Sequence, residues 1–165
     1  MTLKEKINEN FRRSLKEKAT LETSVLRMLW AAILNKEKEK RAKIAKDKKD
    51  MSEKDLEKES QLSDEESTEV VSSEAKKRKE AITGFQKGER PDLVEKEKKE
   101  LEILQKYLPE QLSEEKIQKL AKEAIGKVGA TGSQDMGKIM AELMPKVKGK
   151  ADGTVVSRIV KELLV

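Results

Sequence analysis

Residues 135–164 read "DMGKIMAELMPKVKGKADGTVVSRIVKELL". Two apolar stripes flank a lysine-rich joint. The first is Met136, Ile139, Met140, Leu143 and Met144; the second is Val155, Val156, Ile159, Val160, Leu163 and Leu164. Steps of three and four residues line one face of an α-helix, so the stretch predicts two amphipathic helices that pack by their stripes. The joint, "MPKVKGKADG" at 144–153, carries the breakers such a turn requires: Pro145, Gly149 and Gly153. Gly149 is expected to end one helix at low strain and Asp152 to cap the next, with Gly153 in its first turn. Lys146, Lys148 and Lys150 are not needed for a turn. They are either solvated charge or a patch for something negative.

Working toward the N-terminus, the same spacing recurs. Ser133 is expected to cap the helix bearing the methionines, "GATGS" to turn the chain before it, and Ser113 to open a helix with Ile117, Leu120, Ala121, Ala124, Ile125 and Val128 on one face. Pro109 closes a helix that reaches Tyr107 and starts at "GERPD", with Asp92 and Glu95 as its cap signal. Ser63 with Glu66 forms a capping-box pattern for a helix to about Gln86. Val25, Leu26, Leu29, Trp30, Ile33 and Leu34 make a strong stripe, and Leu3, Ile7, Phe11 and Leu15 begin another. No segment alternates with the period of two that marks a half-buried strand. The fold class is therefore all-α: a long-helix N-terminal lobe over 1–108 and a small three-helix C-terminal lobe over 109–165.

Composition supports helices and removes most chemistry. Charged residues are 42% of the 165 and aromatic residues 2%, so the core must be aliphatic and the surface densely charged. There are no cysteines and no histidines. Thiolate nucleophiles, disulfides, the commonest general base and the commonest metal ligands are all missing. Neither a signal-peptide pattern nor a membrane-spanning apolar run is present, and the expected setting is cytoplasmic. The net charge is +5. Residues 36–49, "KEKEKRAKIAKDKK", hold eight basic and three acidic residues, which accounts for all of it. Such a run reads as a solvated helix face or connector, with a nucleic-acid contact as the alternative. Over 42–61 no continuous apolar stripe exists, so a mobile or protruding element is expected there.

No catalytic set emerges. "GSQDMGKI" at 132–139 matches a phosphate-loop pattern in Gly132, Gly137 and Lys138, but Ile139 stands where the magnesium-binding hydroxyl belongs and no strand precedes it. "GATG" at 129–132 has the form of a KH-domain clamp without the fold that uses one, and reads as a helix cap. Glu114 and Glu115 fall in a first helical turn, where they complement the helix dipole. Met136, Met140 and Met144 at helical spacing read as core. No metal site and no cofactor is expected.

Three stretches carry a family resemblance: "LRMLWAAILNKEKEKR" at 26–41, "EAKKRKEAITGFQKGERPDLVEKEKKELEILQKYLPEQLSEE" at 74–115, and the 135–164 segment quoted first. Together they resemble the GatB/YqeY family, and the junction "YLPEQLSEE" and the tail are their most specific parts. The resemblance implies a small helical, bacterial-type protein whose C-terminal lobe is similar to the tail domain of the B subunit of the glutamine-dependent aminoacyl-tRNA amidotransferase. In that picture the tail helps engage tRNA, while the amidation chemistry sits in domains this chain does not contain. A carbon–nitrogen ligase label with glutamine as amido-N-donor is inherited in such families; here it would apply only within a complex. The resemblance carries over onto Asp135, Gly137 and Lys138, onto Lys146, Lys148, Gly149 and Lys150, and onto Asp152 and Gly153. The twenty residues "AKIAKDKKDMSEKDLEKESQ" at 42–61 depart from it.

The expected function is a non-catalytic tRNA-binding or amidotransferase-associated helical module; the alternative is a helical protein–protein adaptor without a nucleic-acid role. The candidate nucleic-acid contacts are Lys138, Lys146, Lys148, Lys150, Arg158 and Lys161, with Gly137, Gly149, Asp152 and Gly153 as turn and cap positions. Residues 126–165 hold seven basic and four acidic residues, a local net of +3, and none of the chain's aromatic residues. Weak, salt-sensitive tRNA binding without base stacking follows. The expected partners are tRNA or the amidotransferase and aminoacyl-tRNA machinery, with no membrane.

Overall fold

The computed structural model describes residues 1–164, and among them the chain is all-α with no strand. Its helices are α1 (Leu3–Lys16), α2 (Thr20–Asp47), α3 (Glu53–Glu59), α4 (Asp64–Lys87), α5 (Pro91–Gln105), α6 (Glu114–Val128), α7 (Met136–Val147) and α8 (Gly153–Leu163). The chain forms two compact units, Met1–Tyr107 and a second beginning at Leu108.

Local chemistry sets most helix starts. Capping boxes open α1, through Thr2 and Glu5, and α4, through Ser63 and Glu66, so each satisfies two backbone donors that a helix N-terminus leaves orphaned. Ser113 caps α6 by accepting from the Lys116 amide, and Asp152 caps α8 by accepting from Thr154. Two other starts differ from expectation. The chain enters α5 with Pro91 in the first turn and Arg90 before it; Asp92 caps nothing and instead takes the Arg90 guanidinium through both oxygens, at 3.1 and 3.0 Å. Ser133 lies in a 3-10 turn, Ser133–Asp135, that leads into α7 without a side-chain cap.

In the first unit the core is Ile7 of α1, Val25, Leu26, Leu29 and Ile33 of α2, Val71 and Ala75 of α4, Leu104 of α5 and Tyr107. Leu15 and Leu34 fall outside it, 47% and 36% exposed, because the helices around α1 and α2 cover a narrower sector than the full apolar stripe. Arg78 of α4 bridges Glu97 and Glu100 of α5 at 3.2 and 3.1 Å; Glu100 is buried, so losing the arginine would strand a carboxylate in the core. The basic run forms the second half of α2 and continues to Asp47. Beyond it, α3 buries no residue and is held by polar ties: Lys48 to Glu59 at 2.9 Å and the Lys40 ammonium to the Gln61 carbonyl at 3.0 Å.

The second unit packs α6, α7 and α8 around Ile117, Ala121, Ala124, Ile139, Leu143, Val147, Val156, Ile159 and Val160, with Met136, Met140 and Met144 filling its edge. Pro145 does not break α7, which runs through it to Val147. A proline lacks the N–H that would bond the Ala141 carbonyl four residues back, so α7 forgoes that one bond of its ladder and continues for two more residues. The break comes at Gly149, whose φ of 73° is the left-handed conformation glycine adopts without a Cβ penalty.

Candidate nucleic-acid interface

The joint between α7 and α8 is held from two sides. Within it, the Lys150 and Ala151 amides both donate to the Val147 carbonyl, at 2.9 and 3.0 Å, closing the turn after α7. From outside, the segment ahead of α6 lies across it: the Leu112 amide donates to the Lys150 carbonyl at 2.7 Å, and the Gln111 side chain donates to Gly149 O at 3.0 Å and Pro109 O at 2.9 Å. The Val147, Gly149 and Lys150 carbonyls of the turn are thus each hydrogen-bonded within the unit. Lys146, Lys148 and Lys150 are all exposed.

The remaining candidates are exposed as well but differ in partners. Lys138 pairs with Asp135 at 3.0 Å, and the same carboxylate accepts from the Thr131 amide; the lysine first, and the amide second, hold the Asp135 pKa below the ordinary carboxylate value. Arg158 meets Glu114 of α6 at 2.7 Å and Glu162 at 3.1 Å, and its guanidinium is pushed up chiefly by Glu162. Lys146 reaches Glu142 at 3.3 Å, and Glu142 also takes Lys127 of α6 at 2.7 Å. Those two lysines, Lys127 first, hold the Glu142 carboxyl below its usual range. Lys150 and Lys161 pair with no carboxylate among the described residues.

These partners place two of the six cations: Lys146 lies on the α6–α7 side of the bundle and Arg158 on the α6–α8 side. Gly137 sits in the first turn of α7 and Gly153 opens α8, beside the Asp152 cap. Two participants were not singled out by sequence reading. Gln111 lies inside the "YLPEQLSEE" junction, where its local pattern is that of a loop, and Lys127 is one of many helix-surface lysines.

A family model described as "Yqey-like protein" matches residues 47–164. The chain belongs to the Yqey-like protein family. The match opens at the last residue of α2 and runs through α3 to α8, so α1 and most of α2 lie outside it. A curated relative, "Altered inheritance of mitochondria protein 41, mitochondrial" of Pyrenophora tritici-repentis (strain Pt-1C-BFP), is 32% identical over 98 residues, which is 58% of this chain and 54% of the relative. The chain thus spans about half the length of that relative. Among the described residues of this Yqey-like chain, no group of three acidic, histidine or cysteine side chains could hold a metal ion, and no helix is long and apolar enough to cross a membrane.

Proposed function

We propose that this Yqey-like chain is a non-catalytic tRNA-binding module associated with amidotransferase or aminoacyl-tRNA machinery, and that the α7–α8 joint is its phosphate contact. The observation that supports this reading most is the strapped joint: Lys146, Lys148 and Lys150 are exposed on a turn whose carbonyls Gln111 and Leu112 already hold. Lysines so placed meet phosphates without first ordering a loop, and each contact releases counterions. Lys138, Arg158 and Lys161 lie off the joint and are the remaining contacts; Lys138 and Arg158 share their charge with Asp135, Glu114 and Glu162, as Lys146 does with Glu142. The lobe boundary of this reading is the junction 109–113, and residues 42–61 stand apart from the tRNA contact. The curated relative's name is mitochondrial while the sequence expectation is cytoplasmic; the mechanism is the same in either, because tRNA phosphates are its target.

The test is tRNA titration of wild type and of Lys146→Glu/Lys148→Glu/Lys150→Glu at several salt concentrations, with helicity checked in parallel. Loss of the joint should flatten the dependence of log affinity on log salt by about 2–3 units for three phosphate contacts. A folded triple variant with unchanged affinity and slope ends the proposal. Fractionation of native cells decides the compartment.

A further inference from the structure

The chain has no cysteine, so its six methionines are its only sulfur. Met136, Met140 and Met144 fill the edge of the second unit's core, Met51 is half-buried ahead of α3, and Met1 stands exposed ahead of α1. Met28 differs from all of these. It lies on α2, is 46% exposed, and its sulfur accepts a hydrogen bond from Nη2 of Arg78 on α4 at 3.5 Å.

The donor in that contact is held from its other end. Nη1 of Arg78 serves the carboxylates of Glu97 and Glu100 at 3.2 and 3.1 Å, which fixes the guanidinium against α5. Nη2 has the Met28 sulfur as its acceptor, and the buried Nε has none among the described residues. A guanidinium is among the strongest donors a side chain offers and a thioether among the weakest acceptors. The pair is mismatched, and one added oxygen corrects it.

We propose that Met28 is a site of reversible oxidation by peroxides, and that Arg78 receives the sulfoxide oxygen and so strengthens the tie between α2 and α4. A thioether sulfur has two lone pairs; one faces Arg78, and the exposure of Met28 leaves the other open to solvent. Peroxide transfers one oxygen there: the S–O bond forms, the O–O bond breaks, and the departing oxygen keeps both hydrogens and leaves as water. The sulfur loses two electrons and the peroxide gains them. Methionine is unbranched and turns about several bonds, so the partly solvated Met28 adjusts while Arg78 stays on its carboxylates. The weak contact to sulfur becomes a charge-assisted bond to oxygen. In a packed core the same change is disruptive, and sulfoxide reductases, one for each epimer, restore the thioether. The inference concerns the first unit and does not depend on the tRNA reading.

The test exposes the full chain to graded hydrogen peroxide, as wild type and as Met28→Leu, Met28→Gln and Arg78→Lys. Peptide mass spectrometry should find Met28 oxidised at a severalfold lower dose than Met136, Met140 and Met144, because susceptibility follows exposure. Hydrogen–deuterium exchange then reads the consequence. The α4 amides of oxidised wild type should exchange about threefold more slowly than those of the reduced protein, the effect of one better hydrogen bond on local opening. Met28→Leu given the same dose should show no slowing, which separates Met28 from Met1 and Met51. Arg78→Lys keeps a cation beside Glu97 and Glu100 without the second nitrogen, and it should lose the slowing. Without any oxidant, Met28→Gln carries a side-chain carbonyl for Arg78 and should exchange more slowly in α4 than Met28→Leu. Oxidation of Met28 no earlier than the three core-edge methionines, α4 exchange unchanged or faster after oxidation, or slowing that persists in Arg78→Lys overturns the proposal. If Arg78→Lys does not fold, equal exchange in Met28→Gln and Met28→Leu overturns it.

Discussion

The side-chain amide of Gln111 donates to the carbonyl of Gly149 at 3.0 Å, joining positions 38 apart in the sequence. The same amide is anchored to Pro109 O, so the entry to the second unit and the turn between its last two helices are clamped by one residue. Gln111→Ala should cost the unit about 1 kcal/mol, the usual net worth of a hydrogen bond, and loosen the turn. Because no charge changes, tRNA affinity should fall while its salt slope stays as in wild type. A changed slope would mean that Gln111 acts by some route other than holding the joint.

Glu142 sits between Lys127 and Lys146 and neutralises both in part. Glu142→Gln releases them, so tRNA should bind more tightly and with a steeper salt dependence. Titrations across salt concentrations check this, and weaker binding would point away from the α6–α7 side of the joint.

Leu143 is fully buried at the centre of the second unit, touching a core made of aliphatic side chains. Leu143→Ala should destabilise that unit by about 2–5 kcal/mol, the lost transfer energy plus the cavity left behind. Urea denaturation followed by far-UV circular dichroism measures it.

Tyr107 predicts an alkaline limit for the first unit. Burial is the larger influence and raises its phenol above the ordinary value, against the opposing pull of the hydrogen bond from Asn10 at 2.8 Å. The folded state therefore keeps the ring neutral after the unfolded chain has begun to ionise. This contribution is complete below about pH 10 and is lost as pH rises through the raised value. Tyr107→Phe should flatten the decline while lowering stability at neutral pH by about 0.5–1.5 kcal/mol for the missing hydrogen bond. An alkaline slope identical to wild type would assign the limit to other groups.

Between α2 and α3, residues 48–52 lie outside any helix, and Lys48 and Lys49 are exposed. Since α3 buries no residue and its ion pair, Lys48–Glu59, is exposed and worth little, limited trypsin digestion should cut first at these lysines. Initial cleavage inside α4 or α5 would contradict it.

What sequence made legible was local. Caps at Ser63, Ser113 and Asp152 lie within three residues of the amides they satisfy, and the stripe of α8 names its own buried face. Pro145 and Ser133 misled because their effect depends on context: α7 runs through the proline for two more residues, and a 3-10 turn takes the place of a serine cap. Gln111 and the Arg158–Glu114 pair were illegible because their partners stand 38 and 44 residues away, and nothing local specifies which face turns toward which. The joint lysines could be named from sequence, whereas the carboxylates beside them could not be ranked until the helices were packed.

The placement of the aromatic side chains has an optical consequence. Trp30, Tyr107, Phe11 and Phe85 all belong to the first unit, and the second absorbs almost nothing above the far ultraviolet. Intrinsic fluorescence and near-UV dichroism therefore watch one unit melt, while the peptide signal watches both. The difference between the two curves isolates the second unit without a label. With no cysteine in the chain, a single engineered thiol beside the joint would accept a dye at that position alone.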